Sequence, residues 1–192
     1  MEEEEIPVIL KPNIGFVVLC FLVNAIMGPF FAVYAWNNPD GDFECFSWED
    51  SYAAIKNPVG ITEAKDVSFR FASWFVWGFA LSCTGVLYSI MAIAYIATDA
   101  LILLQVANSL ITLCLVGNLG WTVCGTVFRY KHYGKVCSGD YFDWELYGEV
   151  DPFLWKSGQF MYIYLLLLWA FWTFAILFGG LGTVLSVVVG KN

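Results

Sequence analysis

The 192-residue chain is 59% hydrophobic and 19% aromatic, but only 14% charged, with a formal net charge of −8. Soluble domains carry about 25% charged residues, so this composition excludes an ordinary soluble fold and predicts a membrane protein. The length allows one such domain without an appended soluble module.

The chain opens on Met1-Glu2-Glu3-Glu4-Glu5, the acidic start of an N-terminal tail that runs over 1–13. Secretory signals start basic and transit peptides are acid-poor, so no cleavable targeting segment is expected and the first apolar segment serves as its own membrane signal. Four charge-poor segments then follow: 14–36, 71–97, 101–128 and 158–188. Each is long enough to cross a hydrocarbon core, which takes about 20 apolar residues. With no water to satisfy their backbones, the segments must be helices, and they lack the two-residue alternation of a membrane barrel. The predicted fold is an all-α bundle of four transmembrane helices. Long loops at 37–70 and 129–157 form a cap on one side. A short turn at 98–100, the N-terminal tail and the C-terminal residues 189–192 lie on the other.

In the first span, Gly28-Pro29 predicts a kink. The second carries Gly78, Ser82, Gly85, Ser89 and Ala92, spaced four, three, four and three. Such a seam lets helix backbones approach closely, which drives association in lipid. Packing on another helix of the same chain is the expected use, with an intermolecular contact as the alternative. Polar residues within the spans are few. Asn24, Gln105, Asn108, Thr112 and Asn118 are expected to form interhelical hydrogen bonds, and Gly179, Gly180 and Gly182 to form a second close-approach zone in the last span. No ionisable group lies in mid-span. Such groups mark ion and proton pathways, so a pump or voltage sensor is disfavoured.

The loops are rich in aromatics, unlike disordered segments. Phe43, Phe46, Trp48 and Trp144 are candidates for partner contact, with packing inside the cap as the alternative; Trp36, Trp74, Trp77 and Trp155 fit an interfacial belt. Loop one holds seven acids from Asp40 to Asp66 without the spacing of a calcium loop. Cys45 and Cys137 stand one in each long loop and are candidates for a single bridge, which would persist only in an oxidising compartment; two unlinked thiols are the alternative. Seven of the nine Lys and Arg residues also lie on the loop side, which by the positive-inside rule would place the loops in the cytoplasm. The two arguments oppose one another.

No catalytic, cofactor or metal signature is present. The single histidine, His132, lies between basic residues, and neither a Cys-x-x-Cys pair nor a nucleophile elbow occurs. The chain is expected not to be an enzyme and to need no cofactor, metal or nucleic acid. Its expected partners are membrane lipid and other membrane proteins.

The order of span, long loop, two tightly joined spans, long loop and span resembles the tetraspan proteins. The claudin first-loop signature is missing, because only Cys45 follows Trp36, and Val136-Cys137-Ser138-Gly139 departs from the tetraspanin Cys-Cys-Gly. The stretches Val116-Gly117-Asn118-Leu119-Gly120-Trp121, Phe128-Arg129-Tyr130, Cys137-Ser138-Gly139-Asp140 and Trp155-Lys156-Ser157-Gly158 look like MARVEL-like four-span proteins over about a quarter of the chain. The resemblance implies cytoplasmic termini and a non-enzymatic role in membrane organisation. It carries over no functional residue. A plasma membrane or endomembrane is the expected location, with the mitochondrial inner membrane as the alternative. The expectation is therefore a tetraspan protein that organises membrane or binds partners through its loop face. The alternatives are an accessory subunit of a large respiratory or channel assembly and a small pore or transporter.

Overall fold

The computed structural model describes residues 12–37, 39–40, 44–48, 54–56, 64–141 and 154–189; for 54–56 and 178–189 it describes the backbone alone. Four long helices dominate: α1 (Ile14–Trp36), α2 (Val67–Thr98), α3 (Leu101–Tyr130) and α5 (Trp155–Val189). Each is long and apolar enough to span a bilayer, and the chain is an integral multi-pass membrane protein.

The helix ends follow from local chemistry. Asn13 accepts from the Gly15 and Phe16 amides and starts α1. Asp66 accepts from the Phe69 amide, so α2 begins at Val67, four residues before the charge-free run. Asp99 ends α2 with φ 53°, ψ 21°. This is the left-handed conformation that Asp tolerates better than most residues, and it lets α3 begin two residues later.

Loop one is not irregular. It contributes β1 (Cys45–Ser47), β2 (Ala54–Lys56) and β3 (Lys65–Asp66), an antiparallel sheet in the order β2-β1-β3. Phe46 lies opposite Ile55 on one side and Asp66 on the other. Loop two contributes a short helix, α4 (His132–Cys137).

The small-residue seam of α2 is buried along its whole length, Gly78, Ser82, Gly85, Ser89 and Ala92 alike. Much of it lies against α1. A Cβ on Gly85 would strike the Asn24 amide at 2.6 Å, a Cβ on Gly78 would meet the Phe31 ring at 3.1 Å, and a Cβ on Gly28 would reach the Ser82 Cβ at 3.4 Å. Helix α1 continues through Pro29.

Two expectations for the spans are corrected. Among the described residues Gln105, Asn108 and Thr112 make no interhelical hydrogen bond: the Thr112 hydroxyl donates to the Asn108 carbonyl, and all three side chains are exposed. The inward face of α3 is set by Leu104, Ala107, Cys114 and Trp121, which turns these three outward. Asn24 and Asn118 likewise donate to carbonyls one turn back, those of Cys20 and Cys114. In addition, Trp74 is 1% exposed and belongs to the core, not to the interfacial belt. Trp36, Trp77 and Trp155 are exposed. The close-approach packing expected at Gly179, Gly180 and Gly182 lies outside what is described, which for 178–189 is the helical backbone alone.

Candidate functional site: a tied loop face above a ring-packed bundle

Four connections build the loop face. Cys45 of β1 and Cys137 of α4 are joined by a disulfide with Cα atoms 6.0 Å apart, and both residues are fully buried. The Cys45 amide donates to Ser68 Oγ at 2.6 Å, which ties β1 to the start of α2. The Leu154 amide donates to the Cys137 carbonyl at 2.9 Å, bringing the entrance of α5 under the bridge. The fourth connection comes from Asp40, just beyond α1. Its carboxylate accepts from the Lys156 amide at 2.7 Å and the Ser157 amide at 3.0 Å, while Lys156 Nζ donates to the Pro39 carbonyl at 2.9 Å. The first amides of a helix lack intrahelical acceptors and carry the positive end of its dipole, so Asp40 caps α5 from a distant part of the chain.

Arg129 ends the charge-free run of α3 and is 2% exposed. Its two terminal nitrogens donate to the two Asp140 carboxylate oxygens at 2.7 Å each, and Nε donates to the Gly158 carbonyl at 2.8 Å. Three donors are thereby satisfied in a fixed fork, the geometry that suits arginine to paired carboxylate oxygens. The clamp joins α3, the end of α4 and the start of α5. Gly158 is required here because a Cβ would overlap Ser138 Oγ. Arg70 behaves differently. It donates to Tyr133 Oη at 2.6 Å, and its guanidinium carbon lies 4.8 Å from the Tyr133 ring centre and 5.7 Å from that of Phe128.

Beneath this face, rings fill the bundle. Trp74 and Trp121 stack with centroids 4.3 Å apart and planes 13° from parallel. Each indole N–H donates to the other residue's backbone carbonyl, at 3.0 and 2.8 Å. Four residues after each tryptophan stands a glycine, Gly78 and Gly125, and a Cβ on either would collide with the opposite indole. A Trp-x-x-x-Gly unit thus occurs on both antiparallel helices, and each tryptophan lies over its partner's glycine. Phe31 of α1 meets both indoles edge-on, and meets Phe160 and Tyr164 of α5 in the same way. Further down, Trp169 and Trp172 of α5 donate to the Thr126 and Thr122 hydroxyls of α3 at 2.9 and 3.4 Å.

Of the loop aromatics singled out for partner contact, Phe46 lies in β1 and Trp48 just beyond it, both half-buried. Phe43 and Trp144 lie outside the described residues. Among the described residues no group of three His, Cys, Asp or Glu side chains is arranged to hold a metal ion. His132 has its ring centre 5.2 Å from that of Tyr141.

The sequence reading missed the Trp74–Trp121 pair, the Arg129 clamp and the Asp40 cap. The first had a signal: Trp74 lies four residues before Gly78 and extends the buried seam by one turn. The other two depend on how the loops return to the helices, which residue spacing does not encode. No protein-family model, curated protein or solved structure matches the chain.

Proposed function

We propose that the protein is a non-catalytic tetraspan protein that organises membrane or binds partner proteins through its loop face. The observation that carries this reading is the fourfold tying of that face by the disulfide, the Ser68 and Leu154 hydrogen bonds and the Asp40 cap. A surface ordered in advance loses less freedom on association and binds more tightly for the same contacts. The ring cluster around Phe31, Trp74 and Trp121 occupies the space a water-filled path would need, which favours this reading over a pore. A loop-face disulfide persists in an oxidising compartment, so the loops face the outside or a lumen and the termini the cytoplasm, in the plasma membrane or an endomembrane.

A photoreactive amino acid at Trp48 tests the reading in native membranes. Discrete protein adducts are expected there and none at Leu167, an exposed lipid-facing position; absence of adducts at Trp48 would overturn it. Native electrophoresis in mild detergent separates the accessory-subunit alternative, because only that alternative predicts migration as part of a large hetero-complex.

A further inference from the structure

On the outer surface of the bundle a groove of about 460 Å³ runs between α2 and α3. Its walls include Trp77, Leu81 and Thr84 of α2 and Val116 of α3; Leu81 packs over Gly117, and the floor is opened by Gly120. A Cβ on Gly120 would meet nothing within 4 Å, so the hollow there is open. The loop-side end is formed by Ser73 and Phe128. Arg70 stands one helical turn before Ser73, with its guanidinium over the Phe128 ring at 5.7 Å. Among the described residues Arg70, unlike Arg129, has no ion-pair partner and makes one side-chain hydrogen bond, to Tyr133 Oη. Arginine carries five N–H donors, so most of this fork has no acceptor among the described residues at the boundary between the apolar spans and the loop face.

We propose that this groove seats one phospholipid of the loop-side leaflet, with its phosphate on Arg70 and an acyl chain in the groove. Charge identifies the head: an arginine fork with no carboxylate on it among the described residues complements a phosphate diester, and guanidinium is suited to pairing with phosphate oxygens. Length identifies the tail. From Ser73 to Thr84 the groove follows eleven residue steps of α2, about 16 Å at the α-helical rise, while half of a hydrocarbon core is about 15 Å. A transmembrane helix would need a seat between two walls across the full thickness, whereas the part walled by both α2 and α3 ends at Thr84 and Leu113 and only an open hollow on α3 alone continues past it to Asn108. The site goes beyond partner binding by the loops, because it lies in the membrane and reads the lipid itself.

Native mass spectrometry of the full chain, released from nanodiscs of mixed phosphatidylglycerol and phosphatidylcholine, tests this. The wild type should retain one phospholipid. Gly120→Phe, which fills the open hollow, and Arg70→Gln, which removes the charge, should each lower retention about tenfold or more, as loss of a charge-assisted contact implies. Diacylglycerol with the same acyl chains, which lacks the phosphate, should be retained about as weakly by the wild type as phospholipid is by Arg70→Gln. Equal retention by wild type and Gly120→Phe would mean boundary lipid only and would overturn the proposal. So would equal retention of the phosphate-free lipid. Cys124 lines the groove and is exposed; efficient Cys124–Cys124 cross-linking in native membranes would place a second copy there instead and also refute it. If Arg70→Gln does not fold, Gly120→Phe decides alone, since its side chain enters open space.

Discussion

Asp140→Asn is the sharpest test of how the loop face is held to the bundle. The substitution keeps size and shape but removes the charge that neutralises Arg129. Arg129 is 2% exposed and makes two of its three hydrogen bonds to that carboxylate at 2.7 Å. Removing one partner of a buried pair costs about 3–5 kcal/mol because a buried charge is left uncompensated. The Asp140 side chain is 28% exposed, so water reaches the site and the lower end, about 3 kcal/mol, applies. For a chain of this size that corresponds to a fall in melting temperature of about 6–12 °C, readable by intrinsic fluorescence in detergent. The paired substitution Arg129→Met with Asp140→Leu removes both charges, and apolar replacement of a buried pair is often neutral. It should therefore be more stable than Asp140→Asn alone. A melting temperature for Asp140→Asn within 2 °C of wild type, or a double variant no better than the single one, would refute a buried, mutually dependent pair.

Four further outcomes follow from the same contacts. Gly125→Leu drives a side chain into the Trp74 indole and should cost at least about 1–3 kcal/mol by overpacking; Trp121→Phe should cost about 1 kcal/mol through its lost N–H bond, both read by thermal melting. Asp40→Ala leaves the Lys156 and Ser157 amides uncapped and should cost about 1 kcal/mol, with hydrogen exchange rising at the start of α5 but not in α2. Cys45→Ala with Cys137→Ala opens a 92-residue separation, for which chain entropy gives at most about 4–5 kcal/mol. The inserted helices already restrain the opened chain, so a smaller loss is expected, measured against wild type with and without reductant.

The spans were legible because charge is nearly absent from them, and the seam from Gly78 to Ala92 was legible because helical spacing puts its residues on one face. Trp74 was misplaced for a physical reason. An indole suits the membrane interface as well as a core, and composition alone does not separate the two. Helical phase does, because Trp74 continues the Gly78 seam and Trp77 does not. Gln105 and Asn108 show the converse: they share a face with one another, but that face is not the one α3 turns toward its neighbours. The loop strands and the clamps at Asp40 and Arg129 were not legible, since each joins residues brought together only when the loops fold back on the helix ends.

The disulfide ties the two long loops covalently, and the proposed function puts that tied face in an oxidising compartment. Thiol accessibility in cells measures this directly, in a variant keeping only Cys45 and Cys137. Without reductant, neither residue should react with a membrane-impermeant maleimide in any compartment. After an impermeant reductant, both should react from the extracellular or luminal side, and neither when the cytosol alone is opened by selective permeabilisation. Labelling without reductant, or from the cytosolic side alone, would contradict it.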